Sequence, residues 1–147
     1  MIRIDPDTGS FQLEGINEPL EPRMSYRAFG EHPACAVMPE IRSRRNVNHH
    51  EHKLPESRFE GCRVWGTASF TNGELDSLWL QVLADEKDGK LFRYEQDDPN
   101  LLELQERWLR EVVGVESREY PWGLVWNRFN INAGWHDIAI FFKERSA

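Results

Sequence analysis

Apolar and polar residues alternate along most of this chain, and the alternation predicts strands more often than helices. Ile2 and Ile4 alternate with polar neighbours, residues 5–9 are turn formers, and Phe11 and Leu13 alternate again. This predicts a short strand pair, closed by Pro19 and Pro22, which lack the N–H that a ladder needs. Ser25 suits the N-cap of a helical turn over residues 26–29, with Tyr26 and Phe29 on one face and Gly30 as its stop. Residues 34–38 are apolar and bracketed by Pro33 and Pro39, which predicts a weak edge strand or an extended loop. Residues 40–58 are polar apart from Ile41, Val47 and Leu54, and read as a loop or irregular excursion.

The clearest local signal follows. Asn72-Gly73 stands between two β-rich runs, a strong hairpin signature. With these as the two loop residues, Phe70 should face Leu75, Thr67 face Leu78, Gly66 face Trp79 and Trp65 face Leu80. One face would carry Cys62, Val64, Phe70, Leu75, Trp79 and Leu83, and the other Trp65, Leu78, Leu80 and Val82. Two apolar faces predict a central pair covered on both sides. Residues 84–98 are loop-like and acidic, with Leu91, Phe92 and Tyr94 as a possible short strand within them.

The main helix is predicted at about 99–113. Asp98 is a suitable N-cap, Pro99 fits the first helical position, and Gly114 supplies the stop. Leu101, Leu104, Trp108 and Val112 recur at steps of three and four, widened by Leu102, Leu109 and Val113. Residues 120–142 then read as two antiparallel strands joined by a turn at 130–134. Tyr120, Trp122, Leu124 and Trp126 should share a face, opposite Val125, Phe129 and Ile131. After the turn, His136, Ile138, Ile140 and Phe142 alternate with Asp137, Ala139 and Phe141. The fold class is α+β. One domain spans residues 1–147, mainly an antiparallel sheet (central hairpin 59–83, C-terminal hairpin 119–143) packed by one main helix.

Length and charge narrow the partners. A chain of 147 residues can bury a sizeable core. A net charge of −7 disfavours nucleic acid and anionic membrane and permits a basic partner. The N-terminus lacks a cationic segment followed by an apolar run, and no stretch approaches the roughly 20 apolar residues that span a bilayer. Cys35 and Cys62 make no disulfide framework. A reduced, cytoplasmic protein is expected.

Candidate chemistry is sparse. Asn48-His49-His50-Glu51-His52 is the one dense group of metal-capable side chains, so His49, His50 and His52 are the candidate metal ligands. His-Glu-x-x-His is not met, because Leu54 stands where the second histidine belongs. In a strand His50 and His52 would share a face; in a helical turn His49 and His52 would. A solvated polar loop accounts for the cluster equally well. Gly-x-Ser-x-Gly and phosphate-cradling Gly-rich loops are absent, and His136 and Asp137 point to opposite faces of a strand. No cofactor is implied. Asp85, Glu86, Asp88, Glu95 and Asp97 form an acidic stretch that would meet a basic surface. Arg42, Arg44 and Arg45 suit a phosphate or a partner's carboxylate. Trp135, after Gly134, is either folded back on its hairpin or presented to a partner.

The order of the Asn72-Gly73 hairpin, a helix with Trp108-Leu109, Tyr120-x-Trp122-Gly123 and an ending in Ile138-Ala139-Ile140 resembles a loose group of small bacterial proteins. Some of these look like immunity proteins of polymorphic toxin or contact-dependent inhibition systems. The opening, Ile4-Asp5-Pro6-x-Thr8-Gly9, is also similar, and the closing turn at residues 130–134 departs from the group's charged one. The resemblance implies a non-enzymatic, protein-binding role, with a basic toxin domain as the partner, and carries no catalytic residues. The alternative is a metal-binding protein or metal-dependent enzyme built on His49, His50 and His52.

Overall fold

The computed structural model describes residues 2–83, 86–87, 90–91, 99–130 and 135–144, with side-chain surroundings for residues 2–83, 100–128 and 137–144. Strands β1 (Ile2–Ile4) and β2 (Phe11–Leu13) pair with Ile2 opposite Leu13. There follow α1 (Tyr26–Glu31), a 3-10 turn (Pro33–Val37), β3 (Glu40–Arg44), β4 (His49–Lys53), β5 (Ser57–Phe59), β6 (Cys62–Thr71) and β7 (Glu74–Leu83). The two-residue strands β8 (Glu86–Lys87) and β9 (Lys90–Leu91) pair with each other. Helix α2 (Pro99–Trp108) continues into a π-helical turn (Leu109–Val113), before β10 (Arg118–Tyr120), β11 (Gly123–Asn130) and β12 (Trp135–Phe142).

One antiparallel sheet runs β10-β11-β12-β7-β6-β4-β3, with β5 pairing the stretch of β6 that β4 does not reach. The α+β class, the dominant antiparallel sheet and the one main helix are as expected. Local chemistry explains the ends of the elements. The Ser25 side chain accepts from the Ala28 N–H, capping α1. Gly30 is not its stop: the helix runs on to Glu31 and closes where the His32 N–H donates to Phe29 O. The His32 Nδ1 then accepts from Ala34 N–H, and Pro33 opens a 3-10 turn where an extended segment was expected. Gly114, with φ +96°, ends the main helix by donating its N–H to Leu109 O.

Three expectations about strands need correction. Residues 40–58 are no loop; they supply β3, β4 and β5. Their polarity misleads because β3 is the exposed sheet edge and the inward histidines of β4 pack on aromatic rings. In the central hairpin, Asn72 and Gly73 (φ +54° and +80°) make the expected turn and Phe70 faces Leu75, but Asp76 is an extra residue. Past it Ser69 faces Ser77, Thr67 faces Trp79 and Gly66 faces Leu80. The bulge lies where β7 changes partners. Residues 23–25 hydrogen-bond its start, through Arg23 N–H to Leu75 O and Leu75 N–H to Met24 O, and β12 takes over from Ser77. Leu78, Leu80 and Val82 therefore join Val64 and Phe70 on the core face, while Trp79 turns to the other. Last, residues 120–142 hold the end of a third strand, because β10 turns back at Pro121-Trp122. Tyr120 and Trp122 go into the core, and Leu124 and Trp126 face out.

The core lies between the inner sheet face and a layer made by α1, α2 and the β1–β2 hairpin. Phe29 of α1 packs on Phe70, Phe11 stacks on Phe142, and Trp108 and Leu109 are fully buried. Each large apolar side chain buried in this layer contributes roughly 1.5–3 kcal/mol. No helix among the described residues is long and apolar enough to cross a membrane.

Candidate functional site

Antiparallel pairing puts directly opposed residues on the same face, so the register assigns every side chain to a side. The described helices all pack on one side: α1 meets Phe70 and His52, and α2 meets Val82 and Asn127. The expected cover on both sides is not found among the described residues, and the other side holds a continuous aromatic group. Trp79 and Trp126 flank Ala139 in one cross-strand row. Phe141 lies edge-on to both, with ring centroids at 5.4 Å from Trp79 and 4.8 Å from Trp126. The Arg128 guanidinium covers the Trp126 ring at 3.4 Å from its centroid. Leu124, beside Phe141, is 37% exposed. Trp79 Nε1 donates to Ser77 Oγ. Trp65, Trp79 and Trp126 lie in rows that point away from the described helices.

The polar end of the same face is built by β3 and β4. Arg42, opposite Glu51, reaches its carboxylate at 4.0 Å, and Arg44 is opposite His49. His49 bonds Thr71 Oγ1 and Glu51 Oε1 there. Arg45 is exposed in the turn after β3.

His50 and His52 point the other way, into a cluster beneath the edge. Their shared face follows from strand geometry, as does the separation of His49 from both. Tyr26 of α1 stacks on His50 with centroids 4.2 Å apart, and its hydroxyl contacts His52 Nε2 at 2.8 Å and Glu40 Oε2 at 3.0 Å. His52 Nδ1 donates to Met38 O at 2.7 Å. Burial first, then the neighbouring Glu40 and Cys35, push the Tyr26 hydroxyl up to about 12. Desolvation raises the Glu40 carboxyl, but the Tyr26 hydroxyl together with His50 and His52 outweighs it and holds the group below its usual range. Among the described residues no group of three or more His, Cys, Asp or Glu is placed to hold a metal ion.

The remaining candidates fall out differently. Asp85, Asp88, Glu95 and Asp97 lie outside the described residues, and Glu86 is placed only by its backbone, opposite Leu91. Trp135 opens β12 opposite Asn130, and its side chain is outside the description. Both cysteines are free, Cys62 buried in the core and Cys35 partly exposed. Sequence reading passed over Tyr26 and Glu40 as polar partners, and over buried Gln105 and Asn127; only Gln105, a polar residue inside the apolar stripe of the helix, left a signal. No protein-family model matches this chain, and no curated protein or solved structure matches it.

Proposed function

We propose that this is a non-enzymatic protein-binding protein, acting as an immunity protein that neutralises a basic toxin domain. The observation that carries the reading is the sheet face opposite the described helices, with Trp79, Phe141, Trp126 and its stacked Arg128 at its centre. Tryptophan and arginine are enriched among the few residues that carry most of the binding energy at interfaces. On the β6–β7 side the same face carries the short, buried side chains Thr67, Ser69 and Ser77. The net charge of −7 would steer a basic partner toward the chain.

The test is co-expression with each adjacent gene product. A 1:1 complex and protection from toxicity are expected, both weakened by Trp126→Ala. No complex and no protection with any of them would sink the proposal.

A further inference from the structure

Exposed apolar side chains gather at one end of the sheet. Of the four large ones exposed among the described residues, three lie on or beside β3: Val37, Ile41 at 47% and Val47 at 52%. All five residues of β3 are exposed, and β4 is its one neighbour among the described strands. A strand paired on one side turns the N–H and C=O of every second residue away from its neighbour, where another strand can take them up. The opposite edge is a poorer template, because β10 has three residues and its Arg118 lies over the Tyr120 ring at 3.9 Å.

Charge decides what the β3 edge accepts. The chain carries −7, yet Arg42, Arg44 and Arg45 crowd together here. Arg42 and Arg44 stand on one face, opposite Glu51 and His49. Two residues apart, they are about 6.6–6.8 Å from each other along the strand. Arg42 reaches Glu51 only at 4.0 Å and its side chain is more than half exposed. Neither Arg44 nor Arg45 has a carboxylate partner among the described residues. The bulge between Glu40 and Arg42 stops short of this stretch, so Arg42, Ser43 and Arg44 keep a regular register with β4. Cationic side chains and a bulge are also what keeps a sheet edge from pairing with its own kind. A second copy laid antiparallel along β3, centred on Arg42 or Ser43, would set arginine against arginine, which is destabilising. An acidic strand meets the same row with charge-assisted hydrogen bonds instead.

We propose that β3 is a strand-addition site for an extended acidic segment of another protein. The segment bonds the backbone of residues 41–44, sets carboxylates two residues apart on Arg42 and Arg44, and lays an apolar side chain against Ile41. Arg45, in the turn that follows, adds charge at one end. In strand addition the main chain supplies affinity and alternate side chains supply selectivity. The pattern recognised is therefore acidic-x-acidic in an extended chain. The site is separate from the aromatic residues of β7, β11 and β12 and does not rest on the toxin-binding reading.

The test uses the full chain labelled with nitrogen-15 and an end-blocked peptide of four Glu-Val repeats. Binding should slow amide hydrogen exchange at alternate residues of β3 and leave β10 unchanged. Arg42→Glu combined with Arg44→Glu, both at exposed positions, should keep the cooperative unfolding transition and weaken the peptide by about ten-fold or more. Two further peptides, methylated on either the glutamate or the valine amide nitrogens, separate strand pairing from charge attraction. Only alternate residues of an added strand face β3, so one of the two should lose binding and the other keep it. Equal binding by both, or no protection of β3 at millimolar peptide, overturns the proposal. A single-stranded oligonucleotide that protects β3 at lower concentration than the peptide also overturns it, in favour of a phosphate site. So does a free chain that sediments as a dimer with its β3 amides already protected.

Discussion

Gln105 Nε2 donates to Asn127 Oδ1 at 2.7 Å, joining the buried side of α2 to β11. Gln105 is fully buried, yet its two polar atoms are both used, because Oε1 accepts from Val82 N–H at 3.3 Å. The β7–β12 ladder ends at the Leu80–Ile138 pair, so Gln105 takes up an N–H that lies beyond the last rung. Asn127 Nδ2 in turn donates to Leu102 O and Glu106 Oε2. Gln105→Leu keeps the volume but strands a buried N–H and a buried amide oxygen. The expected cost is about 2–4 kcal/mol, at about 1–3 kcal/mol per unsatisfied group with partial relaxation. Chemical denaturation checks it, and a loss below about 0.5 kcal/mol, the scale of surface changes, would contradict it.

Gly9 lies against the Trp122 ring. A Cβ there would come within 2.5 Å of the indole, and its φ is +76°. The ring cannot retreat freely, since Trp122 Nε1 donates to Pro6 O at 2.9 Å. Gly61 has a similar φ of +78° with nothing within 4 Å. Gly61→Ala should therefore cost only the backbone strain, about 1–2 kcal/mol. Gly9→Ala should cost more, by about a further 1–3 kcal/mol of overpacking. Equal denaturation midpoints for the two variants would refute the contact.

Glu56 accepts from Arg63 at 2.8 Å and from Lys53 at 3.0 Å, and these cations hold its carboxyl below the usual range. A depressed folded value gives stability that is present above about pH 4.3, the ordinary glutamate value, and is lost as the pH falls through the lower folded one. The pair is more than one-third exposed on the Glu56 side, so the effect is small. On acidification, Tm should fall more steeply for the unsubstituted chain than for Glu56→Gln. Parallel curves would count against the pairing.

Trp126→Ala removes the stacking under Arg128 and the edge contact with Phe141. The fold should survive with a loss of about 1–2 kcal/mol, the combined scale of a cation–π contact and an aromatic pair. Binding to the partner should weaken by more than about 2 kcal/mol, as for a central interface tryptophan. Calorimetric titration against the captured partner measures this, and unchanged affinity would move the interface elsewhere.

Local chemistry alone determined a good part of this molecule. Asn72-Gly73 makes its turn because both residues tolerate positive φ; Ser25 caps α1; Gly114 stops the main helix; and the alternation over residues 137–142 sorts Ile138, Ile140 and Phe142 from Ala139 and Phe141. Each of these is settled within a few residues of chain, by φ/ψ preference, a capping hydrogen bond or the two-residue period of a strand. Tertiary structure decided the rest. Asp76 becomes a bulge because residues 23–25 and then β12 claim the same strand. The polar residues 49–53 become a strand because β6 pairs their backbone and Tyr26 stacks on His50 and bonds His52. Which face of the sheet the described helices cover depends on where α1 and α2 land. A polar group is buried only where a partner distant in sequence supplies its hydrogen bond, and no local pattern encodes that partner.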